Sequence, residues 1–237
     1  MMKKRIWELD VFRGICIIGV VIVHYVFDLI DLYALVSWDY PPSILFLMEW
    51  GGILFVALSG ICVTLGKNHL KRGLLVLLCG LIITAVTYGM YRMDLASKDI
   101  LIYFGILHCL GTCMILWHFL QHLPNWVLWL FSLPLVILGF YLNTISTVSH
   151  LWLLPFGILP PTFSTADYFP LLPHLGFFLL GAFIGRTIYC NQQTLLPNID
   201  PERPTLRFFR FCGRHSLAIY LLHQPVLFGI LLLMGKL

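Results

Sequence analysis

Seven stretches of about twenty residues, at 11–31, 43–65, 73–91, 100–120, 124–142, 171–189 and 215–234, are apolar almost without interruption. A water-soluble domain cannot hide that much apolar surface, and long unbroken runs do not suit the alternating strands of a barrel. The chain is 59% hydrophobic and only 11% charged, where an average soluble domain is about 25% charged. Mean hydropathy is +0.90. The expected fold class is all-α: one polytopic membrane bundle of about seven transmembrane helices over 1–237, without internal repeat. The basic start MMKKRIWELD is followed by a long run with no small-residue cleavage site, so it reads as a retained first span. Segment 150–161 is apolar but short and proline-rich, and reads as an outer loop or re-entrant piece. The longest polar linker is 190–212, with Pro197, Pro201 and Pro204.

Lys and Arg set the expected orientation. With the N-terminus cytoplasmic, twelve of the fifteen fall inside: Lys3, Lys4, Arg5, Arg13, Lys67, Lys71, Arg72, Arg186, Arg203, Arg207, Arg210 and Arg214. Arg92, Lys98 and Lys236 fall outside. This is the positive-inside pattern. Of the seven cysteines, most lie in apolar runs and act as small hydrophobes. Cys109 and Cys113 share a helix face, but without a third ligand the spacing gives little reason to expect a metal, and none is assigned.

Ionisable groups inside spans are costly and mark candidate sites. His24 lies about 16 Å in from the cytoplasmic end of its span, at 1.5 Å per residue. Glu49 and His108 lie about 9 Å and 12 Å in from the outer ends of theirs, so all three are expected in one outer-half layer. Asp28 is four residues past His24, on the same helix face. Its carboxylate can hold one ring nitrogen and leave the other to accept a proton. The plainer readings are that His24 bonds a neighbouring helix, Asp28 caps the outer end, Glu49 satisfies backbone donors at a helix start, and His108 bridges helices. His174 and Asp167, in DYFPLLPHLG (167–176), stand at the outer mouth, where they can face substrate. His223 is a candidate for lining a cavity. Gln224 is expected to satisfy the carbonyl freed by Pro225. At the inner mouth Asp10 and Arg13 are three residues apart and can pair. With Lys71, Arg72 and Arg214 they can also hold an anionic phosphate, for which the planar guanidinium fork is suited.

Five segments in order carry a family resemblance: LDVFRG (9–14) leading to His24, WGGILFVALSG (50–60), FGILHCLG (104–111), DYFPLLPHLGFFLLGAFIG (167–185) and GRHSLAIYLLHQPVL (213–227). They resemble the transmembrane acyltransferase superfamily, and within it the bacterial group carrying the catalytic domain of heparan-alpha-glucosaminide N-acetyltransferase. The two terminal motifs are also similar to acyltransferase-3 proteins. The resemblance implies a bacterial inner-membrane, multi-pass enzyme that takes an acyl group, acetyl foremost, from cytosolic acyl-CoA. It passes the group to a hydroxyl or amine of a sugar, glycan or other small acceptor on the far side.

The resemblance implies partners of lipid bilayer, acyl-CoA and acceptor, with no nucleic acid; a homodimer is compatible with it. It implies His24 as general base or acyl carrier, with Arg13 near the coenzyme A phosphates. Two features depart from the animal enzyme. That enzyme has an Asn at the end of the first helix and a His in the next loop, before a Ser-Trp. Here His24 takes the helix position and Leu35 the loop position, ahead of Ser37-Trp38, so the loop histidine's role does not carry over. The chain is also shorter than the animal enzyme, so glycan specificity is not inherited. A transporter or flippase with a buried His and Glu relay is the rival class, and a non-catalytic scaffold the third. The sequence lacks the inverted repeats and paired broken helices that transport would favour.

Overall fold

Each long apolar run folds as a helix, as it must where no water is present to satisfy the backbone. The structure, a computed structural model, describes residues 5–32, 35–144, 150–160 and 163–233. Lys3, Lys4 and Lys236 of the charge count, and position 234 of the last predicted span, lie outside them. In chain order the α-helices are α1 (Trp7–Phe27), α2 (Pro42–Leu65), α3 (His69–Arg92), α4 (Ile106–Leu120), α5 (Asn125–Asn143), α6 (Leu171–Ile188), α7 (Pro204–Arg214) and α8 (Ser216–Leu233). Among the described residues there is no strand beyond an isolated bridge between Phe104 and Tyr168. Six helices are long and apolar enough to cross a membrane: α1, α2, α3, α5, α6 and α8.

Two elements differ from the sequence reading. The fourth predicted span, 100–120, is helical only from Ile106, giving 15 residues, or about 22 Å of rise. Its first third is held away from the helix by the 165–169 loop. Leu101 accepts hydrogen bonds from Thr165 Oγ1 (2.6 Å) and the Ala166 N–H (3.3 Å). Phe104 accepts one from the Phe169 N–H (3.0 Å). Asp167 Oδ2 then accepts the Ile106 N–H at 3.0 Å and starts α4. The second difference is α7, which lies in the stretch read as the end of a linker. Segment 150–161 holds a 3₁₀ turn, Leu151–Phe156. It is pinned by the Tyr168 hydroxyl, which donates to the Leu154 carbonyl at 2.8 Å. Burial pushes that hydroxyl well above its ordinary pKa, so it stays a donor.

The described residues gather into two compact units: 1–58 with 191–237, and Ser59–Cys190. In the first, α1 packs on α7 through two glycines. A Cβ on Gly14 would overlap the Phe209 carbonyl, and one on Gly213 would overlap the Asp10 carbonyl. These are backbone-to-backbone approaches, the kind that small residues permit in membrane bundles. Buried Glu8 fastens the start of α1 to the chain ahead of α7. Its two oxygens accept the Thr194 hydroxyl and the Leu195 N–H, each at 2.8 Å.

In the second unit α3 touches α4 along a stripe seven residues apart. Gly73, Gly80 and Thr87 are its buried residues, while Leu74, Leu75, Leu78, Leu81, Ile82 and Val86 are exposed. The exposed face suits lipid tails. The C-terminal turns of α2 meet α6 at Gly60, where a Cβ would overlap the Phe178 carbonyl. Arg186, at the end of α6, closes the end of α4. Its guanidinium donates to the Gln121 carbonyl, the Leu123 carbonyl (2.7 Å) and Asn125 Oδ1 (3.3 Å), and lies 4.7 Å from the Trp117 ring centre. Charge-assisted bonds contribute about 1.5–3 kcal/mol. Arg186→Ala should therefore lower stability by about that amount in thermal unfolding of the purified protein. Arg186→Lys should recover only part, because an ammonium lacks the planar fork.

Candidate active site

A carbonyl oxygen can only accept, so a ring nitrogen bonded to one must carry the proton. This fixes the tautomers of two histidines in the first unit. His24 Nδ1 lies 2.9 Å from the Val20 carbonyl, one turn back on α1, and donates to it. His223 Nδ1 donates in the same way to the Tyr220 carbonyl on α8. In its neutral form each ring keeps an Nε2 lone pair. The rings meet edge to face, with centres 4.8 Å apart and planes at 78°. His223 is buried, and its Nε2 has no hydrogen-bond partner among the described residues. A buried acceptor left unmade is costly, and such groups call for a functional reason.

Asp28 follows at the end of α1 and is 1% exposed. The Gln224 side-chain amide donates to its Oδ1 at 3.4 Å. The sequence spacing pointed to Asp28 as the group that orients His24. In the structure the Val20 carbonyl orients the ring, and Asp28 is engaged from α8. The physical reason is reach: on a helix the carbonyl four residues back is as close to a side chain as the residue four ahead. The sequence pairs Gln224 with the backbone at Pro225, whereas in the structure its amide reaches Asp28. Its position next to His223 was the available signal that it belongs with the site. The α1 end also carries a polar latch, in which the Tyr40 hydroxyl donates to Asp31. Burial, then this bond and the Asp31 charge, push the hydroxyl up to about 12.

At the other end of α1, buried Asp10 lies between two guanidiniums. Arg13 Nη1 is 3.6 Å from Oδ1, and Arg214 Nε is 3.4 Å from Oδ2. One carboxylate faces two cations, so a positive surplus remains. Lys71 and Arg72, grouped with these in the sequence, are exposed residues of α3 in the second unit.

The remaining candidates have other settings. His108 is in the second unit, in the first turn of α4 rather than deep within a span, because that helix starts late. Its Nδ1 accepts the Gly105 N–H at 3.2 Å, so the proton sits on Nε2, which meets Thr84 Oγ1 at 3.2 Å. The Thr84 hydroxyl in turn donates to the Ile102 carbonyl at 2.6 Å. Both ring nitrogens thus hold the start of α4 to α3. Asp167 caps that same helix start. His174 is buried; its Nδ1 donates to the Pro170 carbonyl at 2.7 Å, and its ring lies 5.0 Å from Phe169. Glu49 is exposed on α2. Among the described residues no group of three or more His, Cys, Asp or Glu is placed to hold a metal ion.

No curated protein and no solved structure matches the chain. The model of one protein family, described as heparan-alpha-glucosaminide N-acetyltransferase, catalytic, matches residues 5–225. That range reaches into both units and takes in every residue of the histidine pair and the Asp10 cluster, and the chain belongs to this family.

Proposed function

We propose that this protein moves an acetyl group from cytosolic acetyl-CoA to a hydroxyl or amine of an extracytoplasmic acceptor, a sugar or glycan, with His24 as general base. Family membership supports a membrane acetyltransferase in general. The observation that carries the finer reading is the His24 tautomer: Nδ1–H is held by the Val20 carbonyl, and Nε2 is an acceptor beside a second, unpartnered acceptor on His223. In the reaction His24 Nε2 takes the proton of the attacking O–H or N–H. The oxygen or nitrogen bonds to the thioester carbonyl carbon, the C–S bond breaks, and the His24 imidazolium returns the proton to the coenzyme A sulfur. His223 Nε2 accepts a hydrogen bond from a second N–H of an amine acceptor, or from a neighbouring hydroxyl of a sugar, and holds the acceptor for attack. The surplus charge at Arg13 and Arg214 is assigned to the coenzyme A phosphates on the cytoplasmic side.

The test is acetyl transfer by the full chain in sealed vesicles, with labelled acetyl-CoA on the Arg13 side and amino or hydroxyl sugars on the other. Label on the sugar with equal release of free coenzyme A is expected. Sugar flux without consumption of acetyl-CoA would assign the chain to transport instead.

A further inference from the structure

The helix α7 carries two stripes, of which the proposed reaction uses Arg214 alone. Arg203, Arg207, Arg210 and Arg214 follow one another at four, three and four residues, so they line one flank at 3.6 residues per turn. One position on, Pro204, Phe208, Phe211 and His215 line the adjacent flank. Phe208 and Phe211 are 56% and 61% exposed, and the Phe211 ring lies 4.6 Å from that of exposed His215. The opposite side, with Cys212 and Gly213, is buried toward α1. Two of the arginines are engaged within the protein. Arg210 donates to the Pro201 carbonyl and to Glu202, each at 2.7 Å, and Arg214 pairs with Asp10. Arg203 and Arg207 are exposed and form no ion pair among the described residues.

A helix inside hydrocarbon would not carry this many cations, and a helix in water gains nothing from an exposed phenylalanine pair. Both stripes are satisfied where headgroups meet acyl chains: aromatic rings enter the apolar boundary while guanidiniums reach lipid phosphates. The fold brings α7 to such a level. It is packed against the start of α1, a candidate span, and His215 alone separates it from α8, another. We infer that α7 lies in the membrane surface and binds anionic phospholipid headgroups through Arg203 and Arg207, with the Phe208–Phe211 edge set into the leaflet. The arginines alone would suit any phosphate. The adjoining aromatic edge selects a bilayer.

The experiment is backbone hydrogen exchange of the full chain in nanodiscs of phosphatidylcholine, with or without phosphatidylglycerol. A cation near an anionic surface contributes about fivefold in binding. Exchange over 204–214 should therefore slow several-fold when phosphatidylglycerol is present, and the gain should vanish at high salt. Arg203→Gln with Arg207→Gln should remove the gain while leaving exchange in α8 unchanged. Phe208→Ser with Phe211→Ser should speed exchange in both kinds of disc. Equal exchange in the two lipids, or a gain that survives the double arginine change, would overturn the inference. So would the same gain from soluble glycerol phosphate added to phosphatidylcholine discs.

Discussion

His24→Ala should lower acetyl transfer by about 10²–10⁴-fold, the usual contribution of a positioned base, and leave acetyl-CoA binding near the wild-type level. The structure makes this a clean substitution. The ring's one hydrogen bond runs to Val20 in the same helix, so its loss frees a carbonyl that is already part of the α1 ladder. The contact with the His223 ring is lost as well, but no bond between helices is cut. Protein yield and melting temperature should change little. Asp28→Asn should cost less, because it keeps the size of a buried side chain and an oxygen to accept the Gln224 amide. His223→Ala should fall between the two, with the larger part of its effect on acceptor KM. Turnover at the wild-type rate in folded His24→Ala protein would remove the proposed mechanism.

Gly14→Val should be the most destabilising single change among those considered, and Gly213→Val should be close behind. Inserting side-chain atoms into a packed interior costs about 1–3 kcal/mol where neighbours can shift. Here each new Cβ meets a main-chain carbonyl, of Phe209 or of Asp10, and a helix backbone has little room to yield. A loss of about 3 kcal/mol is expected, at the top of that range. The two changes act on one seam, so the double variant should lose less than the sum. Gly229→Ala is the matched control in the same unit. Nothing lies within 4 Å of its Cβ position, and replacing a mid-helix glycine there should stabilise by about 0.5–1 kcal/mol. Thermal unfolding of the purified variants measures all four. A Gly14→Val protein that melts with the wild type would show that α1 and α7 do not meet as described.

The long helices were legible because lipid imposes a simple rule, that an apolar run of span length is helical. Where local chemistry competed with that rule, the sequence said less. The run at 100–105 is as apolar as a helix, yet Asp167, more than sixty residues on, ends the helix at Ile106. No window along the chain contains that pairing. The helix α7 was hidden by Pro201 and Pro204, which read as linker. A proline at a helix start also suits the first turn, and the seven-residue arginine spacing was the better guide. At the site, the sequence pointed to His24 and to a nearby carboxylate. The choice between Asp28 and a backbone carbonyl as the orienting group turns on a rotamer, which spacing does not encode. Nothing local to the sequence marks Glu8 as buried. Its burial depends on residues 194 and 195 folding back over it.

The stripe at Gly73, Gly80 and Thr87 limits how the length of α3 can vary. Each residue added to a helix turns everything beyond it by about 100°. A single insertion between Gly73 and Cys79 would therefore swing one half of the stripe away from α4 and bring Cys79 against the His108 ring that now rests on Gly80. Seven residues make nearly two full turns, with a drift of about 20°. Related chains should accordingly differ in the length of this helix by whole heptads or not at all, with shorter insertions and deletions confined to the loops at its two ends.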